Sequence, residues 1–184
     1  MRRSMAALAL IAFLTPLTAE TARAEVFQFY DGVAAVRGQA DEGEGFAQNL
    51  AREYRRLALY EADAMADWID AERFADKTLA SVRGETVSPE RLEDWKLAEP
   101  LLPALRSARE RLLRAFDRDS RILAPHATAR AQAQFDCWVE QAEEGHQRTH
   151  IAACREGFLD AMLEIDAVVA ARDLDRIKRD YPAK

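Results

Sequence analysis

Cysteine is scarce, with two residues in 184, and glycine, proline and histidine are few, at seven, six and three. Each shortage excludes something. The Cys-x-x-Cys-His attachment sequence of a c-type haem is absent, as is the Cys-x-x-Cys pair of a thiol oxidoreductase. No Gly-x-Ser-x-Gly places a serine on a strained elbow for nucleophilic attack. With no catalytic signature, the chain is not expected to be an enzyme or to carry a cofactor. β-Branched runs of strand length are also missing. Ala, Arg, Leu and Glu are plentiful, and these are strong helix formers. The predicted fold class is all-α: a helical bundle with one long first helix and a disulfide-stapled C-terminal αα-hairpin.

Basic charge is in deficit, 26 Lys and Arg against 32 Asp and Glu, for a net charge of −6. Nucleic acid is therefore not an expected partner, because its phosphates need a basic surface; a basic envelope protein suits this surface better. Long apolar runs are lacking except for Met5 to Leu14, which follows Arg2 and Arg3 and precedes Ala22-Arg23-Ala24. A positive start, a short apolar stretch and small residues at the cleavage positions form an export signal, cut after Ala24. The run falls short of the roughly 20 residues that span a bilayer. No cysteine precedes Cys137 to accept a lipid. The expectation is a periplasmic protein, not membrane-spanning after cleavage. Loss of the leader removes three arginines and one glutamate, leaving a net charge of −8.

The remaining length suits one domain. Residues 25–45 hold four glycines with little periodicity and read as an irregular lead-in, with at most a turn of helix at Val33 to Val36. A single helical domain over 46–178 follows, then a frayed tail at 179–184. Phe46, Leu50, Tyr54, Leu57, Met65, Trp68, Ala75 and Leu79 recur at three- and four-residue steps, which predicts one long helix from about Phe46 to Val82. Ser88-Pro89 predicts a short helix through about Trp95, with serine at the cap. Leu105, Ala108, Leu112, Ala115 and Phe116 predict another to about Ser120. Ala127, Ala131, Phe135, Trp138 and Ala142 give a third stripe that stops at Gly145. The last runs from near Thr149 through Ile151, Cys154, Phe158, Met162, Ile165 and Val169, and Leu174 and Ile177 extend it weakly before Pro182.

Cys137 and Cys154 straddle the break at Gly145/His146. If two antiparallel helices meet there, each cysteine lies about eight residues up its arm, roughly 12 Å at 1.5 Å per residue. Both sulfurs then sit at one height beside the apolar stripes. In an oxidising compartment such a pair is predicted to form a structural disulfide.

Two constellations invite a functional reading. Tyr54, Glu61 and Trp68 lie seven residues apart, followed by Asp67, Asp70, Phe74 and Lys77. This spacing places Glu61 near the apolar seam between aromatics. Together with Trp138 these residues form the candidate interaction face, a polar-aromatic patch for a basic partner. The plainer alternative is a seam-edge glutamate that reaches solvent or pairs with an arginine of a neighbouring helix. The second constellation is Glu143, His146 and His150. Glu143-x-x-His146 is half of a carboxylate-histidine motif, but a di-iron bundle needs two such units plus two more glutamates. Metal is therefore not expected, and these three are weak candidates beside their reading as surface turn residues.

Two longer segments carry a family likeness. One joins Glu53-Tyr54 to Glu61-Ala62-Asp63-Ala64-Met65-Ala66-Asp67-Trp68-Ile69-Asp70-Ala71-Glu72-Arg73-Phe74-Ala75-Asp76-Lys77. The other is Ala131-Gln132-Ala133-Gln134-Phe135-Asp136-Cys137-Trp138-Val139-Glu140-Gln141 with Ile151-Ala152-Ala153-Cys154-Arg155. Together, from about Phe46 to Met162, they resemble the N-terminal helical region of certain outer-membrane protein A (OmpA) family envelope proteins. The resemblance implies envelope residence and a helical fold. In that family the helical region typically precedes a peptidoglycan-binding domain and often follows a lipidated cysteine. The present sequence is read as a stand-alone exported form with neither, so peptidoglycan binding is not carried over.

Overall fold

A computed structural model describes residues 31–181. The expected leader, its cleavage point after Ala24 and residues 182–184 of the expected frayed tail lie outside the described residues. Among the described residues the regular structure is helical throughout. Seven α-helices, α1 (Asp31–Arg37), α2 (Phe46–Tyr60), α3 (Trp68–Val82), α4 (Leu102–Phe116), α5 (Ser120–Leu123), α6 (Pro125–Glu144) and α7 (Arg148–Asp180), are joined by a π-helical turn at Glu61–Met65 and 3-10 turns at Leu92–Asp94 and Glu99–Leu101. None of these helices is long and apolar enough to cross a membrane.

α6 is the axial element, with α2 packed on one side and α7 on another. Fourteen of its twenty residues are buried, so it is enclosed on nearly all sides rather than along one stripe. Small side chains at Ala127, Ala129, Ala131 and Ala133 permit this close approach. The core gathers Leu50 and Tyr54 of α2, Phe74 of α3, Leu105 and Leu112 of α4, Phe135 of α6, and Phe158, Met162 and Ile165 of α7, each nearly inaccessible to solvent.

The predicted staple is present. Cys137 and Cys154 are bonded, with their Cα atoms 5.7 Å apart. α6 ends where Gly145 takes the left-handed conformation, φ 72°, and its N–H caps the Gln141 carbonyl. Glycine enters this region without the steric cost a Cβ imposes.

Four expectations need correction. The long first helix is two helices folded back on each other. The Ala66 N–H closes a π turn on the Glu61 carbonyl, Ala66 adopts φ 57°, and Asp67 restarts the chain by accepting the Ile69 and Asp70 N–H groups with its side chain. An aspartate cap competes with helix continuation, and the fold-back lets both apolar stripes cover each other. The short helix expected from Ser88 is an extended segment followed by one 3-10 turn: proline disfavours helical geometry at Ser88, and the Glu90 N–H is taken by Asp136 of α6. The irregular lead-in contains α1, whose first N–H groups at Gly32 and Val33 donate to Glu72 of α3 at 2.7 and 3.1 Å. A carboxylate there satisfies orphan donors and complements the helix dipole. α7 also extends to Asp180, inside the stretch expected to fray.

Candidate functional site

Four segments converge on Asp136, which is fully buried. Its Oδ2 accepts the Tyr54 hydroxyl and Lys77 Nζ, each at 2.6 Å, while Oδ1 accepts the Glu90 backbone N–H at 2.8 Å. Lys77 Nζ also meets Glu90 Oε1 at 2.6 Å. Gln132 Nε2 donates to the Tyr54 oxygen at 3.0 Å and the Val87 carbonyl at 2.9 Å. Trp95 Nε1 donates to Glu90 Oε2 at 3.0 Å. Burial works against the Lys77 charge, but Asp136 and Glu90 outweigh it and hold the ammonium above the ordinary lysine value. Burial raises the Asp136 carboxyl against the pull of Lys77. It also drives the Tyr54 phenol well up, helped by Asp136. The network sets one ammonium between two carboxylates and hydrogen-bonds both oxygens of Asp136, which offsets much of the cost of burying them, and it locks α2, α3, α6 and the 85–95 segment in register.

One turn further along α6 the balance changes. Burial first, then Asp70, Glu144 and Asp67, raise Glu61 to about 7. Burial, Glu61 and Asp70 raise Glu140 to about 9. Asp70 is raised as well, chiefly by burial, with Arg73 opposing. Glu140 is 1% exposed. Its Oε1 accepts Gln141 Nε2 at 3.2 Å, whereas Glu140 Oε2 and Gln141 Oε1 are buried without a hydrogen-bond partner. A protonated Glu140 lowers the cost of this crowding. A cavity of about 180 Å³ adjoins the cluster, lined by Glu61, Gln141, Tyr60, Leu57, His150 and the disulfide.

The candidate interaction face is not a surface patch. Tyr54 and Phe74 stack inside the core with ring centroids 6.2 Å apart, and Glu61 and Trp138 are buried. Lys77 belongs to the Asp136 network, Asp67 caps α3 and Asp70 pairs with Arg73. Trp68 alone among these aromatics is half-exposed. The weak metal candidates diverge. Glu143 accepts the Lys96 N–H at 2.7 Å, His146 Nδ1 lies 3.2 Å from the Glu144 carbonyl, and His150 Nε2 lies 3.2 Å from the Tyr60 hydroxyl. Among the described residues no group of three His, Cys, Asp or Glu is placed to hold a metal ion.

Sequence reasoning missed Gln132, Asp136 and Glu140. A signal existed: with Glu144 they recur every four residues along a helix whose other positions are largely apolar, which marks one polar stripe.

A second feature lies on the outer face of α7. Leu159, Leu163 (63% exposed), Leu174, Ile177 (52% exposed) and Tyr181 face solvent, as do Ala167 and Ala170. At about 100° per residue the six on the helix fall within about 80° of arc, and Tyr181 follows at the C-cap. The core stripe of the same helix, Cys154, Phe158, Met162, Ile165 and Val169, is centred about 130° away round the helix. From Asp173 onward α7 has no buried residue.

Comparison with known proteins gives no match among family models, curated proteins or solved structures.

Proposed function

We propose that this chain is an interaction or scaffold protein of the bacterial cell envelope that works by presenting the outer face of α7 to another polypeptide. The observation that carries the reading is the continuous apolar stripe from Leu159 to Tyr181, on a helix that already buries a separate stripe in the core. Contiguous exposed apolar surface of this kind is characteristic of protein contacts. Supporting it are the export-type N-terminus, the disulfide, which suits an oxidising compartment, and the resemblance to the helical region of OmpA-family envelope proteins. The partner surface is thus assigned to α7, in place of the patch around Tyr54 and Trp68.

The test is the size of the native assembly. In gently extracted envelope at endogenous abundance, the wild-type chain is expected to sediment as a species larger than its monomer. Leu163→Glu with Leu174→Glu should shift it to monomer while leaving helical content unchanged, and Trp68→Ala should not. A wild-type chain that is monomeric in that extract would remove the proposal.

A second reading, a small-ligand-binding bundle, draws on the unpartnered Gln141 Oε1, whose residue lines the cavity together with Glu61. An amide oxygen without a donor suits a small ammonium ligand. Titration with methylammonium, followed through the Tyr60 and His150 ring resonances, should saturate; an unsaturable response ends this reading.

A further inference from the structure

The α7 stripe has an internal symmetry that defines its occupant. Leu163 and Ile177 stand seven residues either side of Ala170, and Leu159 and Tyr181 stand eleven either side. Ala167 and Leu174 are related by the same centre to within one residue. A two-fold axis through Ala170, perpendicular to the helix, therefore lays large side chains of one antiparallel copy on large side chains of the other at the ends. Toward the middle it seats Leu174 over Ala167. Ala170 lies on the axis, where a small residue lets two backbones approach closely.

Charge follows the same symmetry. Residues 160–166 carry Asp160, Glu164 and Asp166 with no base among them, whereas residues 176–179 carry Arg176, Lys178 and Arg179. Antiparallel pairing sets the acidic half of one helix beside the basic end of the other, with Lys178 within reach of Asp160, while Glu164 is held by Arg130 of its own chain at 2.6 Å. The one like-charge approach is Asp166 to Asp173. Both are already compensated within their own chain, Asp166 by Arg111 at 2.5 Å, and Asp173 by Arg118 at 2.5 Å and Arg172 at 2.9 Å. A parallel pair would place Ala167 on Ala167 and Leu174 on Leu174, leaving a gap beside a bulge.

Space permits the arrangement. The core face of α7 lies about 130° round the helix from the stripe, so the two bundles fall obliquely outward from the helix pair, both toward one flank. A seam from Leu159 to Tyr181 is about 33 Å long at 1.5 Å per residue. That length suits an interface near the lower bound for specific dimers, about 1,200 Å² in total.

We infer that the occupant of the α7 stripe is a second copy of this chain, joined as an antiparallel two-helix seam centred on Ala170. This rests on α7 being the interaction surface and goes further by naming the partner and the register.

Sedimentation velocity of the purified chain at about 100 µM, where a micromolar contact is saturated, is expected to give a dimer. Leu163→Glu should give a monomer of unchanged helical content. Lys178→Glu should weaken association about tenfold, a change of about 1.4 kcal/mol, and Asp160→Lys in the same chain should restore it. Ala170→Cys should form an intermolecular disulfide at least about tenfold faster than Ala152→Cys, an exposed position on the same helix far from the axis. A monomer at that concentration overturns the inference, as does equal cross-linking at the two positions. A monomeric purified chain alongside a larger assembly in native extract would sink self-pairing and leave the interaction role standing.

Discussion

Lys77 Nζ and Asp136 Oδ2 meet at 2.6 Å across the α3–α6 contact, 59 residues apart in sequence, with the carboxylate fully buried. Their partners make this junction a structural lock: Asp136 also holds Tyr54 and the Glu90 N–H, and Lys77 also holds Glu90.

Removing one partner should cost more than the pair is worth. Lys77→Met leaves Asp136 buried without its cation, a loss of about 3–5 kcal/mol. Tyr54→Phe deletes one neutral donor and should cost about 1–2 kcal/mol. Urea unfolding of the two variants should show that order; a Lys77→Met change under about 1 kcal/mol would deny the lock.

The carboxylate cluster fixes the sign of a pH effect. Glu61 and Glu140 have folded-state values of about 7 and about 9, above those of an unfolded chain. The folded protein therefore binds more protons between pH 5 and 9, and stability falls as pH rises through that window. Tm is expected to be higher at pH 5.5 than at pH 8.5, by on the order of 5 °C. Glu140→Gln should raise Tm at the upper pH and flatten the dependence. Surface pairs such as Arg118–Asp173 hold their carboxylates below the ordinary range, so they do not titrate in this window. A profile that rises with pH would contradict the cluster assignment.

Reduction of the Cys137–Cys154 bond should cost about 3 kcal/mol in the chain-entropy account of a loop this size. Calorimetry with and without reductant should show a Tm loss on the order of 10 °C, and loss of helix should begin at the α6–α7 turn.

Ala66 occupies the left-handed region at φ 57°, where a Cβ costs about 1–2 kcal/mol. Ala66→Gly relieves that cost, offset in part by a freer unfolded chain. The variant should be more stable by about 0.5–1 kcal/mol in urea; a destabilised variant would argue against the π-turn fold-back.

The helical class, the Gly145 turn and the pairing of Cys137 with Cys154 were legible because each rests on local periodicity and equal arm lengths. The fold-back at Ala66 was not, since the apolar rhythm continues through it and neither glycine nor proline marks the break. Its only local trace is the Asp67-x-x-Asp70 start signal. Heptad spacing groups Tyr54, Glu61 and Trp68 on one surface patch, but the chain bends back between Glu61 and Trp68, which buries the first two and leaves Trp68 half-exposed. Asp136 escaped notice for a different reason: its partners Tyr54, Lys77 and Glu90 are distant in sequence, and no single-helix pattern brings them together. The outer stripe of α7 was partly visible in Leu174 and Ile177, but only the position of the core distinguishes a second apolar face from a weak continuation of the first.

Amide hydrogen exchange of the purified chain at low and high concentration tests the claim about α7 most directly. The account predicts exchange slowed about tenfold or more over residues 163–180 at the higher concentration, with α2 unchanged. Identical exchange in α7 at both concentrations would contradict it.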